Sequence, residues 1–563
     1  MASDLDIARA ATLRPIGDVA ADMGIPEEFL EPYGKNVMKV GLEAIDAMSD
    51  RPKAKYVVVS AITPTPLGEG KTTTSVGLAQ GLGKLGKQAV LTLRQPSMGP
   101  TFGIKGGAAG GGMSQVVPME TLNLHLTGDF HAVTAAHNLL AALLDNHLHH
   151  GNELDIDPRS ITWPRVLDVN DRALRQIVIG LGGRADGVTR QSSFDITAAS
   201  EVMALLSLSS DLDDLRSRLG RIVVGFNRAG SPVTAEQLQG AGSMAVMLRE
   251  ALKPNLLQTL EGTPALIHCG PFGNIATGNS SVVADLVGLR GGDYVVTEAG
   301  FGADMGAERF FNIKCRASGQ SPDAAVVVVT TRALKAHSGK FRIVPGKPLP
   351  DELLAENTDD VEAGAPNLVK QIENIRLHGV SPVVAINSFP TDHASEHETI
   401  RRIAEGAGAR VAVATHFSDG GDGAVELAEA VRDAAEEPSD FHPLYELDLS
   451  LHDKIETVAR RVYGADGIDP SPEAAKQLAA YEAAGFGKLP VCIAKTHLSL
   501  SSDASLTGAP TGWRMPVREV RVSAGAGFVY PIAGAMRTMP GLSRNPAAHA
   551  IDLDDDGEIV NLS

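Results

Sequence analysis

The stretch that decides the fold is Tyr56-Val57-Val58-Val59-Ser60-Ala61-Ile62, followed by Thr63-Pro64-Thr65-Pro66-Leu67-Gly68-Glu69-Gly70-Lys71-Thr72-Thr73-Thr74. Its first part is β-branched and apolar, which is typical of a strand buried on both faces. The Gly- and Pro-rich part predicts a turn, and the residues that follow predict a helix through Leu85. A strand, a Gly-rich turn and a helix N-terminus bring backbone N–H groups onto a phosphate, so this order predicts a phosphate loop.

The match to the phosphate-loop pattern G-x-x-x-x-G-K-[ST] is imperfect, because Thr65 stands where the first Gly belongs. In that pattern the Lys bridges the outer phosphates and the next hydroxyl binds Mg²⁺, roles that Lys71 and either Thr72 or Thr73 fit. The alternative is a surface turn with an exposed Lys71, which the order of strand, turn and helix disfavours. The expected nucleotide-binding residues are Thr65, Pro66, Leu67, Gly68, Glu69, Gly70, Lys71, Thr72 and Thr73, with Thr72 as the metal ligand.

Short apolar runs recur along the chain and alternate with segments of helical periodicity. In one such segment Leu368, Ile372 and Ile375 fall on one helical face, and Gly379 follows as a stop signal. The alternation predicts an α/β protein with a mainly parallel sheet and helices on both faces. The predicted strands are Tyr56 to Ile62, Gln88 to Leu93, Ile177 to Ile179, Ile222 to Val224, Ala265 to Ile267, Tyr294 to Val296, Ala324 to Thr330, Val383 to Ile386, Val411 to Val413 and Val491 to Ile493.

Composition and charge exclude several classes of function. The chain has 563 residues and a formal net charge of −18, which would repel a phosphate backbone over most of the surface, so we expect neither nucleic acid nor an anionic membrane as partner. Cys269, Cys315 and Cys492 form no C-x-x-C pair, which argues against a zinc site and a disulfide framework. No segment has the length of a membrane span, and the N-terminus does not resemble a signal peptide. We therefore expect a cytoplasmic protein.

An arginine follows the second predicted strand, in Leu93-Arg94-Gln95-Pro96-Ser97-Met98-Gly99-Pro100, and a glycine-rich segment extends to Gly112. A guanidinium at the carboxyl end of a strand beside the phosphate loop has the geometry to bind a phosphoryl group or a carboxylate through two hydrogen bonds. Taken alone, Arg94 is equally compatible with an ordinary ion pair.

These segments closely resemble the formate–tetrahydrofolate ligase family, whose phosphate loop reads T-P-x-G-E-G-K-T-T and whose next motif reads R-E-P-S-L-G-P-x-F-G-x-K-G-G-A-x-G-G-G. The resemblance extends over nearly the whole chain. It continues in Leu13-Arg14-Pro15-Ile16, Asn123-Leu124-His125-Leu126-Thr127-Gly128-Asp129-Phe130-His131, His268-Cys269-Gly270-Pro271-Phe272, Thr297-Glu298-Ala299-Gly300-Phe301-Gly302-Ala303-Asp304, Ala494-Lys495-Thr496-His497 and Ser523-Ala524-Gly525-Ala526-Gly527-Phe528.

The resemblance implies ATP-dependent joining of formate to N10 of tetrahydrofolate through formyl phosphate, giving 10-formyltetrahydrofolate, ADP and phosphate. It implies that Lys71 and Arg94 are catalytic, with Arg94 also holding formyl phosphate. It further implies ATP and Mg²⁺ as cofactors, activation by a monovalent cation (K⁺ or NH₄⁺) and a homotetramer. Asp129, Glu298 and Asp304 remain equal candidates for an acidic partner of the phosphate loop.

By the same resemblance, aromatic residues stack on the pterin of the folate. The matching residues are Phe389 and Pro390, after one strand, and Phe417, after the next; Phe417 stands where the family usually has Trp. A Phe ring stacks with less area than indole and lacks its N–H. Without the resemblance, Phe389 and Phe417 would be interpreted as core residues that cap strands.

Four further positions depart from the family pattern. Gln95 stands where the family has Glu, Cys269 where it has Gly, Thr277 where it has His, and His497 where it has Gln. These departures keep an alternative open, a divergent homologue that binds nucleotide but has altered or lost formyl transfer. A third hypothesis, an unrelated P-loop ATPase that drives assembly or transport, is disfavoured by the folate-like aromatic segments.

Proline-rich and acidic connections at Pro345 to Pro366 and at Glu436 to Pro443 suggest the domain boundaries. We expect a P-loop nucleotide and formyl phosphate domain over residues 1–360, with the fold of P-loop NTPases. Two smaller α/β domains should follow, a folate-stacking domain over 361–450 and a C-terminal domain over 451–563 that completes the site.

Overall fold

A computed structural model of the chain describes residues 3–103, 109–341, 343, 348–534 and 536–562. The glycine-rich segment expected after Arg94 lies partly outside them, at 104–108. No helix among the described residues combines the length and the apolar character that crossing a bilayer requires.

The strands of the described residues are numbered β1 to β25 in chain order. They are Leu30–Pro32, Met38–Val40, Lys55–Ala61, Ala89–Leu93, Gly110–Gly111, Ser114–Val117, Arg165–Val166, Ile177–Ile179, Arg190–Ser192, Phe194–Asp195, Val223–Phe226, Pro232–Thr234, Asn255–Thr259, Pro264–Ile267, Tyr294–Glu298, Ala324–Val329, Ser381–Asn387, Arg410–Ala414, Ile468–Pro470, Ala494–Lys495, Met515–Val517, Glu519–Ser523, Phe528–Ala533, Asp552–Leu553 and Ile559–Val560.

The α-helices of the same residues are numbered α1 to α20. They are Asp4–Ala10, Ile16–Asp22, Glu43–Ala47, Lys71–Lys84, Met98–Gly103, Met119–Asn123, Asp129–His149, Glu201–Leu208, Leu212–Arg221, Ala241–Leu248, Val282–Gly291, Cys315–Ser318, Thr331–His337, Asp351–Leu354, Thr358–Arg376, Ala394–Gly406, His416–Asp419, Val425–Ala435, Leu451–Arg461 and Pro472–Ala483.

A large mixed sheet forms the centre of the described structure, with strand order β1-β2-β13-β14-β4-β15-β3-β16-β17-β18. The strands from β14 to β18 in this order all run parallel. The strands β1, β2 and β13 join antiparallel at one edge. The prediction of an α/β protein with a mainly parallel sheet is confirmed, and the carboxyl ends of seven neighbouring strands meet at one edge of the sheet.

Helices cover both faces of this sheet because its central strands are apolar on both sides. In β3 the alternate residues Val57 and Val59 pack with helices α4 and α18, whereas Tyr56 and Val58 face α15 and α16. All four are essentially inaccessible to solvent. The run of apolar residues without alternation is therefore explained by burial on both faces.

Three of the predicted strands do not belong to this sheet. Ile177–Ile179 pairs antiparallel with Arg190–Ser192 in a separate hairpin, and Val178 is exposed rather than buried. Val223–Phe226 pairs with Pro232–Thr234 in another small sheet. Of the run 491–493, only Val491 forms an isolated bridge, and the strand starts at Ala494. Short β-branched runs also form local hairpins, which periodicity alone does not distinguish from sheet strands.

Part of the predicted connection Pro345 to Pro366 is helical, because α15 begins at Thr358 and contains Pro366. Strands β17 and β18 continue the sheet that carries the predicted phosphate loop. The C-terminal residues form a separate three-stranded sheet of β20, β22 and β23, with α19 and α20 in the same apolar cluster. The division at residues 360 and 450 stays a prediction.

Candidate active site at the carboxyl edge of the sheet

The predicted phosphate loop lies between β3 and α4, as its sequence order indicates. Gly68 and Gly70 adopt left-handed backbone angles, with φ of +74° and +76°, and Gly70 caps the N-terminus of α4. A Cβ at Gly70 would lie 2.5 Å from Nδ2 of Asn387, which donates a hydrogen bond to the carbonyl of Glu69. Glycine is therefore required at position 70 both by the backbone and by the close approach of Asn387.

Thr65 occupies the position of the first Gly in the pattern without breaking the loop. Its backbone N–H and its hydroxyl both donate to Oε1 of Glu69, at 2.8 and 3.1 Å. The residue does not adopt a left-handed φ, so it has no need for glycine. The buried Glu69 carboxylate thus holds the loop closed from within.

Helix α4 is packed closely against the turn that follows β18. A Cβ at Gly77 would lie 2.5 Å from Cβ of His416, and the Thr74 hydroxyl is 3.2 Å from Nε2 of the same histidine. Burial lowers the pKa of His416 to about 4, so the ring is neutral at physiological pH. His416 therefore acts as an uncharged anchor for the helix whose N-terminus carries Lys71.

Arg94, Glu298 and Thr72 meet at the carboxyl ends of the neighbouring strands β4, β15 and β3. The Thr72 hydroxyl donates to Oε2 of Glu298 at 2.8 Å, and Nη2 of Arg94 lies 3.6 Å from the other carboxylate oxygen. Nη1 of Arg94 donates to the carbonyl of Pro271 at 3.3 Å. A guanidinium, a carboxylate and a hydroxyl thus adjoin the helix N-terminus. This grouping has the chemistry to hold a phosphoryl group and a divalent cation.

The three candidates for the acidic partner of the phosphate loop, Asp129, Glu298 and Asp304, differ in the residues that they contact. Asp129 is buried and paired with Nζ of Lys39 at 2.9 Å, and Asp304 is buried and paired with Lys495 at 3.0 Å. Of the three, Glu298 alone contacts the phosphate-loop residue Thr72. A hydroxyl and a carboxylate are ligands that Mg²⁺ prefers, so this pair fits a divalent cation.

Gln95, which replaces the family Glu, turns away from solvent beside Arg94. Its side chain is 2% exposed, and neither amide atom has a hydrogen-bonding partner among the described residues. Its backbone N–H donates to the carbonyl of Cys269, which itself has a left-handed φ of +53°. The family Gly suits that conformation, so Cys269 carries a backbone cost that Gly would avoid.

A buried polar network fastens the start of the phosphate loop. The Thr63 hydroxyl accepts from Asn367 at 2.8 Å and from Gln371 at 3.0 Å, and Gln371 also donates to Asp304 at 2.8 Å. Asp304 in turn pairs with the buried Lys495, at the end of the C-terminal sheet. The C-terminal residues thus contact the base of the phosphate loop through one chain of polar groups.

Phe389 follows β17 in a turn held by its own backbone N–H, which donates to Asp392 at 3.0 Å. The guanidinium carbon of Arg332 lies 3.6 Å from the centre of the Phe389 ring, a cation–π contact. The ring is half-buried and the neighbouring Pro390 is exposed. Phe389 is accordingly not fully buried in the core.

Phe417 lies in the short helix α17 after β18 and is 47% exposed. Its carbonyl accepts from Met113 at 2.8 Å, and its ring approaches Gly111, where a Cβ would be 3.2 Å away. This exposure disfavours its interpretation as a core cap. Phe389 and Phe417 follow adjacent parallel strands, so both lie at the edge that carries Arg94 and the phosphate loop.

His497, another departure from the family pattern, stacks on Phe301 with ring centres 4.4 Å apart. Phe301 has a left-handed φ of +61°, next to Gly300, where a Cβ would lie 3.3 Å from Nη2 of Arg94. Of the motif histidines, His268 is buried and bonded to Ser281 and Ala251, and burial lowers its pKa to about 4. It is a structural histidine in this arrangement.

Sequence reasoning did not identify Asn387 and Arg332, which the fold brings to the phosphate loop and to the Phe389 ring. The signal for Asn387 was its position directly after a buried strand, where site residues collect in parallel sheets. Arg332 follows β16 in the same way. Both lie within two strands of β3 in the sheet order.

Comparison with known proteins identifies the family of the whole chain. A model of the formate–tetrahydrofolate ligase family matches residues 2–563. The chain is 70% identical to formate–tetrahydrofolate ligase of Saccharopolyspora erythraea, over 100% of this chain and 99% of the relative. It is 67% identical to formate–tetrahydrofolate ligase 3 of Rubrobacter xylanophilus and 66% identical to the enzyme of Cutibacterium acnes, covering 100% of both chains in each case. The chain therefore belongs to the formate–tetrahydrofolate ligase family.

Proposed function

We propose that this chain joins formate to N10 of tetrahydrofolate, using ATP and giving 10-formyltetrahydrofolate, ADP and phosphate. The observation that carries the proposal is the meeting of Arg94, Glu298 and Thr72 beside the phosphate loop. Full-length similarity to the ligase family supports it. The alternative, a divergent homologue without formyl transfer, is not favoured by 66–70% identity to the relatives named above.

The nucleotide phosphates would bind at the N-terminus of α4, in the loop from Thr65 to Thr73, as in P-loop NTPases. This helix is 14 residues long, so its positive end and its free N–H groups favour an anion. Lys71, the first residue of the helix, would contact the outer phosphates. Glu69 and Asn387 hold the loop in the required shape before the nucleotide arrives.

Thr72 and Glu298 would hold Mg²⁺, which neutralises charge on the phosphate oxygens when it is bound. Within the described residues their hydroxyl and carboxylate contact each other directly, and their oxygens suit a hard cation. The monovalent cation, K⁺ or NH₄⁺, requires oxygen ligands as well. The buried amide oxygen of Gln95 accepts no hydrogen bond from described residues, so it is available as a ligand for this cation.

The reaction proceeds through formyl phosphate in this proposal. A formate oxygen attacks the γ-phosphorus of ATP, the bond to the β,γ-bridging oxygen breaks, and ADP leaves with that electron pair. N10 of the folate then attacks the formyl carbon, phosphate leaves with the former formate oxygen, and the proton of N10 is lost. Arg94 would hold the formyl phosphate and stabilise the oxyanion that develops in the second step.

Phe389, Pro390 and Phe417 would bind the pterin at the same edge. The half-buried Phe389 has the Arg332 guanidinium over one face of its ring, and Phe417 is 47% exposed, so each residue has accessible surface left for a flat ligand. Replacing Phe417 by the family Trp should tighten tetrahydrofolate binding several-fold, because indole adds stacking area. Unchanged folate affinity in Phe417→Trp, measured by fluorescence titration, would remove Phe417 from the site.

The decisive assay measures ADP release and 10-formyltetrahydrofolate formation together, with formate or tetrahydrofolate omitted in turn. We expect ADP and 10-formyltetrahydrofolate to form only when both formate and tetrahydrofolate are present. The two products should form in equal amounts. Nucleotide binding without folate-dependent turnover would instead support the divergent homologue. A homotetramer and a cytoplasmic location complete the proposal, and sedimentation velocity tests the tetramer.

A further inference from the structure

Thr63, the second residue after β3, is the position where the central strand passes into the predicted phosphate loop, and it is fully buried. Its N–H donates to Oδ1 of Asn367 at 3.0 Å, and its hydroxyl accepts from Nδ2 of the same residue at 2.8 Å. Its carbonyl accepts from Nε2 of His337 at 2.8 Å. Two side chains, from α15 and α13, therefore fix the residue from which the loop starts.

The same two side chains also hold Gly508, which belongs to the C-terminal part of the chain. Nδ2 of Asn367 donates to the Gly508 carbonyl at 2.8 Å, and the Gly508 N–H donates to Nδ1 of His337 at 3.4 Å. Gly508 is buried and has a left-handed φ of +68°, which favours glycine there. Asn367 and His337 thus form a double bridge between the backbones of Thr63 and Gly508.

The partners determine the state of both bridging side chains. A carbonyl only accepts and an N–H only donates, so Nε2 of His337 carries its hydrogen and Nδ1 carries none. Burial lowers the pKa of His337, which favours this neutral ring. The Asn367 amide is oriented in the same way, by one donor at its oxygen and two acceptors at its nitrogen. Loss of either side chain would leave buried backbone groups without a partner.

We call residues 496–508 the C-terminal loop. Its residues 503–507 are exposed, so packing contributes little to holding them in place. The start of the loop is held by the preceding Lys495, whose Nζ donates to the first carbonyl of the loop at 3.1 Å and pairs with Asp304 at 3.0 Å. Asp304 is linked to the Thr63 hydroxyl by one bridging glutamine. Both ends of the C-terminal loop are therefore connected with Thr63 through buried polar groups.

The C-terminal loop also contributes to the surroundings of Arg94. His497, its second residue, stacks on Phe301 with ring centres 4.4 Å apart. Phe301 follows Gly300, where an added Cβ would lie 3.3 Å from Nη2 of Arg94. A displacement of the C-terminal loop would therefore disturb the backbone that packs on this guanidinium.

We propose that His337 and Asn367 are positioning residues that couple nucleotide binding at the phosphate loop to the position of the C-terminal loop beside Arg94. The inference rests on the proposed function, because it takes residues 65–73 as the nucleotide site. Bound phosphates order those residues and hold Thr63 more firmly, and the double bridge transfers that order to the C-terminal loop. Coupling between two sites is reciprocal, so a fixed C-terminal loop also favours nucleotide binding.

Hydrogen–deuterium exchange of the full chain tests the coupling, with Mg²⁺ and the β,γ-imido analogue of ATP as the probe. In wild type, the analogue should slow amide exchange at least about fivefold in residues 65–73 and also in residues 496–508. In His337→Gln, an amide N–H at the reach of Nε2 keeps the bond to the Thr63 carbonyl, whereas the acceptor for the Gly508 N–H is lost. Exchange should then slow at residues 65–73 alone.

Steady-state kinetics separates the two halves of the His337 bridge. His337→Gln should lower kcat about tenfold with KM for ATP within about threefold of wild type, because the surroundings of Arg94 lose support. His337→Asn keeps an acceptor for Gly508 at the reach of Nδ1 but has no donor for Thr63, so KM for ATP should rise about tenfold. A merely structural histidine would change both variants alike.

His378→Gln is the matched control for the loss of a buried histidine. His378 is also buried and bonds to the carbonyl of His442 at 3.1 Å, but it precedes β17 and so lies at the opposite edge of the sheet. This variant should lose stability and retain wild-type kcat, KM for ATP and nucleotide protection of both ranges.

Thermal unfolding verifies that each variant is folded, and the wild-type exchange experiment alone can refute the proposal. Protection of residues 65–73 without protection of 496–508 overturns the coupling and leaves the nucleotide site intact. Protection of neither range overturns the nucleotide site, and with it the proposed function. Protection of both ranges in His337→Gln, with kinetics like those of His378→Gln, overturns the role of the bridge.

Discussion

Replacing Arg94 by Ala should lower kcat strongly while it changes the free energy of unfolding only slightly. The contacts of Arg94 are long, 3.6 Å to Glu298 and 3.3 Å to the Pro271 carbonyl, and its side chain is 28% exposed. Such an ion pair contributes at most about 1 kcal/mol to the free energy of unfolding, and Glu298 keeps its bond from Thr72. By contrast, loss of a group that stabilises a developing oxyanion lowers kcat by roughly 10²- to 10³-fold.

The assay measures kcat by coupled ADP release, ATP affinity by titration and stability by urea unfolding of the same preparation. We expect kcat to fall by at least about 100-fold, with ATP affinity within about threefold of wild type and unfolding changed by at most about 1 kcal/mol. Arg159→Ala is the matched control, because that side chain is 90% exposed and pairs only with Asp157 among the described residues. A kcat of Arg94→Ala near that of the control would refute the role of Arg94.

Three further perturbations test the loop and its support. Thr72→Val should raise the Mg²⁺ concentration for half-maximal activity by about tenfold while Thr72→Ser restores it, and equal Mg²⁺ curves would exclude Thr72 as a ligand. Gly77→Ala should lower the free energy of unfolding by about 1–3 kcal/mol, because the new Cβ would lie 2.5 Å from His416, whereas Gly83→Ala, with nothing within 4 Å, should be neutral or stabilising. The folded-state pKa of His416 is about 4, below the unfolded value of roughly 6.5, so its contribution to stability is complete above pH 6.5 and is lost as pH falls toward 4. His416→Gln should therefore flatten the pH dependence of unfolding by ~1.4 kcal/mol per pH unit in that window, and an unchanged slope would contradict a buried neutral ring.

Much of the fold follows from local patterns. The run Tyr56 to Ile62 predicted a doubly buried strand because it lacks polar alternation, and the structure has a strand at Lys55–Ala61. The run Ile177 to Ile179 is equally apolar in sequence but forms an exposed hairpin. Which strands join the central sheet depends on long-range pairing, which three apolar residues do not encode.

The candidate site could be predicted only in part. Arg94 stands directly after β4, and Lys71 begins the helix that follows β3, so their common edge of the sheet followed from the parallel order. The preference for Glu298 over Asp129 and Asp304 could not be predicted from the sequence. It depends on which of these carboxylates already pair with a buried lysine. The contact of Asn387 with the phosphate loop likewise joins residues 318 positions apart in the chain. Such pairings become visible only when the sheet order is known.

In the proposed reaction, formate is activated as formyl phosphate beside Arg94. Turnover with ¹⁸O-labelled formate tests this step, because the oxygen that attacks the γ-phosphorus must leave with the phosphate. Mass spectrometry of the released phosphate should show one ¹⁸O atom per molecule formed. Phosphate without ¹⁸O, produced together with 10-formyltetrahydrofolate, would contradict the claim.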